Sequence, residues 1–228
     1  MKRTSRRAFL AGAAALTTAS AGCLSGGSGS DTPVEAGTPA FGTIAETATP
    51  TERQPLPTPV AGDPEADVTV TVYEDYACPH CATYATEVFP QVAADYLESG
   101  DIRYEFYDFP VPVDETVSWE AANAARAVQA AAGPQAYYVY SERLFANQSS
   151  LGPSAYASLT EGLSVDGETV RGAATDRQYD QTVEANRQAG VDRGVQGTPT
   201  VLVDGDPVQW QEVAYEPVRD AIESARSA

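Results

Sequence analysis

Hydrophobic and polar residues alternate regularly from residue 67 onward, first with the period of a strand and then with that of a helix. The segment DVTVTVYEDY at 67–76 alternates valines with polar residues, which predicts a β-strand. Apolar residues then recur at four-residue steps over 79–97, which predicts a helix kinked by Pro90. DIRYEFYDF at 101–109 predicts a second strand. A strand, a helix and a strand within about 40 residues indicate a βαβ unit with a parallel strand pair.

The second half of the chain predicts a helical block followed by a return to strands. Residues 114–190 have helical patterns throughout, and the alanine-rich helix SWEAANAARAVQAAAG ends at Gly133. PTVLVDG followed by DPVQW predicts a hairpin, and EPVRDAIESARSA predicts a final amphipathic helix. The predicted fold is therefore α/β, with a core of residues 63–113 and 191–228 and an all-helical subdomain inserted at 114–190. Five aromatic residues of the block are predicted to be core packing rather than a substrate surface: Trp119, Tyr137, Tyr138, Tyr140 and Phe145.

The first 23 residues have the layout of an export signal, with a charged head, an apolar middle and a small-residue end. The apolar run is too short for an ordinary transmembrane helix, which needs about 20 residues. TSRRAFL resembles the twin-arginine signal, and ASAGC resembles the end of a lipoprotein signal. We therefore expect residues 1–22 to be removed and Cys23 to be lipidated, which places the protein on the outer face of the cytoplasmic membrane. Cleavage nearby without lipidation is the alternative.

The segment at 23–62 is rich in glycine, proline and threonine and has no hydrophobic periodicity. Such a composition buries too little apolar surface to offset the entropy of ordering. It predicts a disordered tether between the membrane anchor at Cys23 and the folded part.

The charge balance is strongly acidic, which excludes some classes of binding partner. The chain has 32 acidic residues against 14 basic ones, of which only Lys2 is a lysine, and the formal net charge is −18. Such a surface repels nucleic acid and anionic lipid headgroups, so neither is an expected partner. Many carboxylates with almost no lysine resemble the proteins of salt-adapted microbes, where molar salt shortens the Debye length to about 3 Å. A moderately acidic extracellular protein is the alternative interpretation.

The candidate chemistry lies in EDYACPHCATY, where Cys78 and Cys81 flank His80, the only histidine of the chain. Two cysteines at this spacing at a helix start can close a small disulfide ring, and the thiolate is the form that exchanges. The helix N-terminus offers unpaired N–H groups, and His80 adds a donor or a charge, so Cys78 is expected to hold a stabilised thiolate. Cys78 precedes the helix body and is expected to be the accessible sulfur, which attacks or is attacked to form the mixed disulfide. Cys81 is expected to be shielded and to resolve the mixed disulfide.

Four features occur in an order that resembles the DsbA-like thiol-disulfide oxidoreductases of the thioredoxin superfamily: CPHC after the first strand, FYDFPV at the end of the second, the helical block, and VQGTPTVLVDG. The resemblance implies a thioredoxin fold with an inserted helical subdomain. It also implies an enzyme without a cofactor that oxidises cysteine pairs of exported proteins through Cys78 and Cys81, and that is itself reoxidised by an unidentified redox partner. An extra N-terminal dimerisation domain, usual in the related isomerases, is replaced here by the tether, so a monomer is expected.

The resemblance has further implications for individual residues. The Pro-His pair between the cysteines is the same as in DsbA and implies an oxidising poise. A proline in the position of Pro199 is cis in these families and faces the cysteines, so the Thr198–Pro199 bond is expected to be cis and the Thr198 backbone to pair with an extended substrate segment. The families often place a buried acid six residues before the first cysteine, and here that position is Val72. Glu74 and Asp75 are read either as salt-adapted surface or, for Glu74, as a proton acceptor for Cys81.

Other interpretations of the cysteine pair remain open. Structural zinc needs four ligands, and this chain offers Cys78, Cys81 and His80, with Cys23 across a tether, so no metal is expected. A purely structural disulfide in so short a loop constrains little of the unfolded chain. Within the enzyme class, a thiol reductase for extracytoplasmic cytochrome or metal-centre assembly is the alternative to an oxidase. A non-catalytic binding module with a thioredoxin fold is the alternative to an enzyme.

Overall fold

The computed structural model describes residues 54–228. The predictions for the export signal, for lipidation of Cys23 and for the tether up to residue 53 lie outside the described residues. The strands are β1 Val60–Gly62, β2 Val68–Glu74, β3 Ile102–Asp108, β4 Thr200–Val203 and β5 Asp206–Pro207. The helices are α1 Pro79–Thr83, α2 Phe89–Val92, α3 Glu115–Ala146, α4 Pro153–Ser158, α5 Gly167–Thr175, α6 Asp180–Asp192 and α7 Tyr215–Arg226.

A mixed five-stranded sheet with the order β1-β3-β2-β4-β5 forms the centre of the fold. Strands β2 and β3 run parallel, in register from Val68 opposite Ile102 to Glu74 opposite Asp108, which confirms the predicted parallel pair. The remaining neighbours are antiparallel. The predicted hairpin between β4 and β5 is also confirmed, and its turn places Asp204 and Gly205 at φ 50° and 90°, as a tight primed turn requires.

The predicted end of the tether at residue 62 is wrong, because the chain already joins the fold before that position. Strand β1 pairs with β3 at the edge of the sheet. Before β1, the Leu56 N–H donates to the Thr182 hydroxyl at 3.0 Å, and the Pro57 carbonyl accepts from Gln129 at 2.7 Å. The backbone groups of residues 54–62 are therefore held by hydrogen bonds, some to side chains and some to strand β3. A strand of only three residues is too short to show a hydrophobic period, and hydrogen bonds to the backbone do not depend on the side chains of the segment. The sequence pattern therefore could not reveal this part of the fold.

The predicted helix over 79–97 is present, but it combines two kinds of helical turn. Helices α1 and α2 are each followed by a π-helical turn, at Tyr84–Val88 and Ala93–Leu97. The first π-helical turn directly precedes α2, which contains Pro90. Proline has no N–H to continue the α-helical ladder, and a wider turn re-pairs the carbonyl groups nearby. The helix therefore accommodates Pro90 by changing locally from α-helical to π-helical hydrogen bonding.

The inserted helical subdomain begins where it was predicted. The Asp114 carboxylate caps α3 by accepting from the Val117 N–H at 3.1 Å. Within α3, Gly133 adopts φ 82° and interrupts the helix just before Pro134, so the predicted helix end at Gly133 is confirmed as a break between two helical halves. Helix α6 approaches the sheet so closely that a Cβ atom at Gly190 would lie 2.7 Å from the Phe109 ring.

The core is continuous between the sheet and the helical subdomain. The five aromatic residues predicted as packing all belong to it: Tyr137, Tyr140 and Phe145 are buried, and Trp119 and Tyr138 pack against them with part of their surface exposed. That interpretation is confirmed. Among the helices of residues 54–228, none is long and apolar enough to cross a membrane.

Arg126 is fully buried and joins the subdomain to the sheet. From α3 its guanidinium donates to the Asp108 carboxylate of β3 at 2.6 Å, to the Asn186 side chain of α6 at 2.7 Å and to the Gln129 side chain at 2.8 Å. The charge also lies 4.8 Å from the centre of the Tyr137 ring. The bond to Asp108 joins α3 to the sheet, and the bond to Asn186 joins α3 to α6. Arg126 therefore fixes how the helical subdomain packs on the sheet.

Replacing Arg126 with methionine should destabilise the fold strongly. The change leaves Asp108 buried without its counter-charge, and breaking a buried pair in this way costs about 3–5 kcal/mol. Urea unfolding of the purified protein measures this loss. The control is Arg219→Met, because Arg219 forms an exposed pair with Asp220 and such pairs contribute about 0–1 kcal/mol. Equal losses in the two variants would contradict the role of Arg126.

Candidate active site

The cysteine pair lies where the chain turns from the end of β2 into α1. Cys78 is the residue before the helix, in an extended conformation with φ −79° and ψ 120°, and Pro79 occupies the first helical turn. The Cys78 N–H donates to the Asp75 carbonyl at 3.0 Å, which closes the turn. Cys78 keeps 6% of its surface exposed and Cys81 keeps none, so Cys78 is the less deeply buried of the two. Both are free thiols, so the structure represents the reduced form.

Several donors stabilise a negative charge on the Cys78 sulfur. They lower the pKa of Cys78 from its ordinary value of 9.0 to about 5. The largest contribution is the hydrogen bond that the Cys81 thiol donates, and partial burial opposes it. The Thr198 side chain and the backbone N–H groups of Cys81 and His80 also lower the pKa. The two N–H groups belong to the first turn of the helix, and that of Cys81 also donates to the Cys78 carbonyl at 3.1 Å.

Cys81 has the opposite environment. Burial raises its pKa well above 9.0, and the hydrogen bond to Cys78 and the charge of Glu74 raise it further. The Asp75 N–H donates to the Cys81 sulfur at 3.4 Å and lowers the pKa by a smaller amount. The two sulfurs of one short motif therefore differ in charge at neutral pH, with Cys78 as thiolate and Cys81 as thiol. This asymmetry is what directional thiol-disulfide exchange requires.

The His80 side chain is exposed. The contribution of residue 80 that the structure places at the sulfur is its backbone N–H, one of the groups that lower the pKa of Cys78. Any residue except proline supplies that group. The expected contribution of the imidazole ring stays a prediction.

The loop before β4 lies opposite Cys78. The Thr198–Pro199 peptide bond is cis, which confirms the expectation. The Thr198 carbonyl oxygen lies 3.4 Å from the Cys78 sulfur and accepts a hydrogen bond from it when Cys78 is protonated, so the backbone beside the cis bond faces this cysteine. The Thr198 hydroxyl is buried and has no hydrogen-bond partner within residues 54–228, which leaves it available to donate to the thiolate. Sequence reasoning named Thr198 for its backbone and missed this hydroxyl.

Glu74 and Asp75 are both buried, with 2% of their surface exposed, so their interpretation as salt-adapted surface is wrong. Glu74 is the last residue of β2 and Asp75 follows it, and both faces of this strand are covered, which the alternation in the sequence did not indicate. Burial raises the pKa of Glu74 well above 4.5, and the nearby Cys78 charge raises it further. The Glu74 Oε2 atom has no hydrogen-bond partner in the described part of the chain. Glu74 lines a cavity of about 20 Å³, enough for one water molecule.

Asp75 shapes the turn that carries the cysteines. Its carboxylate accepts from the Ala77 N–H and the Val111 N–H, both at 2.7 Å, and from the Ser118 hydroxyl at 2.9 Å. Burial raises the pKa of Asp75, and these three hydrogen bonds act against the increase. The carboxylate thus joins the turn, the loop after β3 and helix α3. An Asp three residues before a Cys-x-x-Cys pair, able to bond the backbone two residues on, was the available signal in the sequence.

Within residues 54–228, no three His, Cys, Asp or Glu side chains are grouped so that they could hold a metal ion.

Comparisons with known proteins give a family and a fold. Residues 55–224 match the model of the family described as thioredoxin. The chain is 26% identical over 171 residues to the disulfide bond formation protein D of Bacillus subtilis strain 168, an alignment that covers 72% of this chain and 75% of that protein. The crystal structure of oxidised BdbD from Bacillus subtilis superposes with a TM-score of 0.68 at 24% identity, over 75% of this chain and 94% of that one. Chlamydia trachomatis DsbA gives a TM-score of 0.67 at 22% identity, over 74% and 90%. These structures confirm the predicted thioredoxin fold with a helical insertion.

Titration of the reduced protein should show a thiolate that forms with a midpoint near pH 5. Ultraviolet absorbance of the thiolate measures this, with Cys78→Ser as the control that lacks the transition. The Cys81→Ala variant should titrate at higher pH, because it loses the largest stabilising hydrogen bond. An ordinary alkaline midpoint in the unchanged protein would contradict the described site.

The same shift makes the stability of the reduced form depend on pH. The folded pKa of Cys78 lies below its ordinary value of 9.0, so the thiolate stabilises the folded protein most above that value. The contribution should disappear as the pH falls through about 5. Urea unfolding of the reduced protein and of Cys78→Ser should therefore differ at alkaline pH and converge in acid. A difference that does not change with pH would contradict this.

Proposed function

Because this chain belongs to the thioredoxin family, we propose that it is a thiol-disulfide oxidoreductase that oxidises cysteine pairs of exported proteins. The observation that carries the proposal is the charge asymmetry of the pair. Cys78 is slightly exposed with its pKa lowered to about 5, and Cys81 is fully buried with its pKa raised. The similarity to a protein named disulfide bond formation protein D supports the same reaction.

In the proposed reaction the resting enzyme carries a Cys78–Cys81 disulfide. A substrate thiolate attacks the Cys78 sulfur, which forms a mixed disulfide and breaks the bond to Cys81, whose sulfur leaves with the electron pair. A second substrate thiolate attacks the substrate sulfur of the mixed disulfide and releases Cys78 as a thiolate. The substrate dithiol loses two electrons and two protons. Cys81 takes up one proton, the other goes to solvent, and the enzyme is left reduced with Cys78 as a thiolate and Cys81 as a thiol. A redox partner of unidentified nature then reoxidises it.

The proposed direction follows from the thiolate. Every group that stabilises the Cys78 thiolate stabilises the reduced enzyme, and this makes its disulfide a stronger oxidant. The helix-start N–H groups and the Cys81 thiol act in this direction. A reductase for extracytoplasmic cytochrome or metal-centre assembly would need a less stabilised thiolate. The reduction potential therefore separates the two activities.

We assign the proton that Cys81 requires to Glu74. When Cys81 leaves as a thiolate, its buried surroundings favour the thiol, so a proton must reach it. Burial raises the pKa of the Glu74 carboxyl and keeps it closer to the protonated form at neutral pH. Its charge acts on Cys81, its Oε2 atom has no partner among the described residues, and the residue lines a cavity that a water molecule can fill. In the reverse direction the same carboxylate accepts the Cys81 proton, as predicted from the sequence.

The proposed substrate contact is the loop of Thr198 and Pro199. The Thr198 carbonyl lies 3.4 Å from the Cys78 sulfur, so an extended cysteine-containing segment that pairs with this backbone brings its own sulfur to Cys78. Such pairing uses main-chain groups and accepts many sequences. It suits an enzyme that acts on several proteins.

The proposed location is outside the cytoplasm, at the outer face of the membrane. The support is the charged and apolar pattern of residues 1–22 and the small residues before Cys23, which we propose to be lipidated. The formal net charge of −18 and the near absence of lysine support adaptation to high salt. We propose that the enzyme is a monomer.

Replacing Cys78 with alanine should abolish oxidation of a reduced dithiol peptide, because no sulfur remains for the substrate to attack. Cys81→Ala should instead accumulate a mixed disulfide when it is given the oxidised peptide, because the Cys78 thiolate attacks the peptide disulfide, one peptide thiolate leaves, and no second cysteine resolves the product. Mass spectrometry detects this species. Equilibration of the unchanged protein with glutathione in high salt measures its reduction potential. A potential near that of thioredoxin, about −270 mV, would favour the reductase. Activity that survives in Cys78→Ala would favour a binding module.

Replacing Glu74 with glutamine should slow reduction of the enzyme disulfide by about 10²-fold, the lower end of what a positioned acid or base contributes. The reason is that glutamine keeps the size but cannot supply the proton to Cys81. Stopped-flow reaction with a dithiol over a range of pH measures the rate, and the pH dependence set by Glu74 should disappear. The control is Glu142→Gln, since Glu142 lines the same cavity but is exposed. An equal effect of both variants would contradict the assignment.

A further inference from the structure

Gln148 reaches from the helical subdomain to the backbone of the reactive cysteine. It begins the short 3-10 turn Gln148–Ser150, which follows α3. Its side-chain amide donates to two carbonyl oxygens of the redox turn, those of Tyr76 and Cys78, each at 2.9 Å. The amide therefore holds both ends of a three-residue stretch whose last member carries the reactive sulfur.

The Cys78 carbonyl that Gln148 contacts has other donors around it. The Cys81 N–H lies 3.1 Å from this oxygen and the Ala82 N–H lies 3.2 Å from it. A carbonyl oxygen has two lone pairs, so three donors share it. The Cys81 N–H is also one of the groups that lower the pKa of Cys78, so it stabilises the thiolate as well. One N–H group is thus divided between the oxygen and the sulfur of the same residue.

We propose that Gln148 is a positioning residue that sets the oxidising strength of the cysteine pair, by occupying the Cys78 carbonyl and leaving the Cys81 N–H to the sulfur. The inference rests on the proposed thiol-disulfide exchange. When Gln148 donates to the oxygen, the Cys81 N–H contributes less to that oxygen and more to the negative sulfur. The second bond, to the Tyr76 carbonyl, keeps the amide in place and prevents the turn from rotating away from it.

The helical subdomain thereby acts on the redox chemistry through one side chain. Gln148 donates across from the subdomain to the turn at positions 70 and 72 residues away in the chain. It does not touch the sulfur in the contacts that the structure gives. Its effect reaches Cys78 through the backbone, which is why Gln148 is a positioning residue and not a catalytic one.

Replacing Gln148 with leucine removes both donors and keeps a similar volume. The Cys78 pKa should rise by about one unit, which is about a tenfold change in thiolate stability. The equilibrium constant for oxidation of glutathione should fall about tenfold, equivalent to about 30 mV. Gln148→Glu, which keeps the shape but turns acceptors toward the two carbonyl groups, should shift both quantities in the same direction by at least as much. Ultraviolet titration and glutathione equilibration measure them without a protein substrate.

The control is Gln188→Leu, because Gln188 is exposed on α6 and bonds the Asp192 side chain. It should leave the Cys78 pKa unchanged, and a variant with a merely structural defect should lose stability without shifting that pKa. If the leucine variant does not fold, Gln148→Met decides, because methionine also lacks the donors and adds no charge that would raise the Cys78 pKa by itself. A shift of less than about 0.2 pKa unit in folded variants would overturn the proposal. An ordinary thiol pKa in the unchanged protein would instead overturn the proposed function, while the difference between variants still tests Gln148.

Discussion

A negative charge on a sulfur that water hardly reaches is the constraint on which the rest of the structure depends. Burial by itself raises the pKa of Cys78, so the protein must offset it with donors. These donors come from the helix start and from Thr198, which is 120 residues away in the chain. The sheet brings the two together, since β2 leads into the cysteines and its neighbour β4 follows Thr198 and Pro199. The fold thus brings hydrogen-bond donors from distant parts of the chain to the Cys78 sulfur.

The helical subdomain contributes to the same task. Ser118 of α3 donates to Asp75, and the Tyr76 hydroxyl hydrogen-bonds Ser141 at 3.0 Å, so the two halves of α3, before and after the break at Gly133, hold two neighbouring residues of the redox turn. The same helix is fixed to the sheet by Arg126 and Asp108. A buried ion pair is poor evidence for high stability, because desolvation opposes the attraction. It does require a single arrangement of the groups around it, and a fixed turn is what a stabilised thiolate needs.

The sequence predicted those features that depend on neighbouring residues. Proline at the helix start, glycine at the break in α3 and the Asp-Gly turn between β4 and β5 each act within a few positions, and the structure has all three. Features that depend on contacts between residues far apart in the sequence could not be predicted in this way. The binding of residues 54–62 depends on carbonyl groups meeting side chains such as Gln129 and Tyr138. The burial of Glu74 and Asp75 depends on what covers the end of β2, and a carboxylate looks the same in the sequence whether it is exposed or enclosed.

The two buried carboxylates differ in the number of their partners, and this difference separates their roles. Asp75 accepts three hydrogen bonds and is fully engaged in shaping the turn, whereas one oxygen of Glu74 has no partner among the described residues. Side chains on a strand alternate between faces, so Glu74 lies on the same face as Val72, which packs in one cluster with both cysteines. An acid moved from position 72 to position 74 keeps its face and shifts about 7 Å along β2 toward the cysteines. The hydrophobic residue at 72 is therefore compatible with proton transfer to Cys81, because the pleat of the strand preserves the direction of the acid while its position changes.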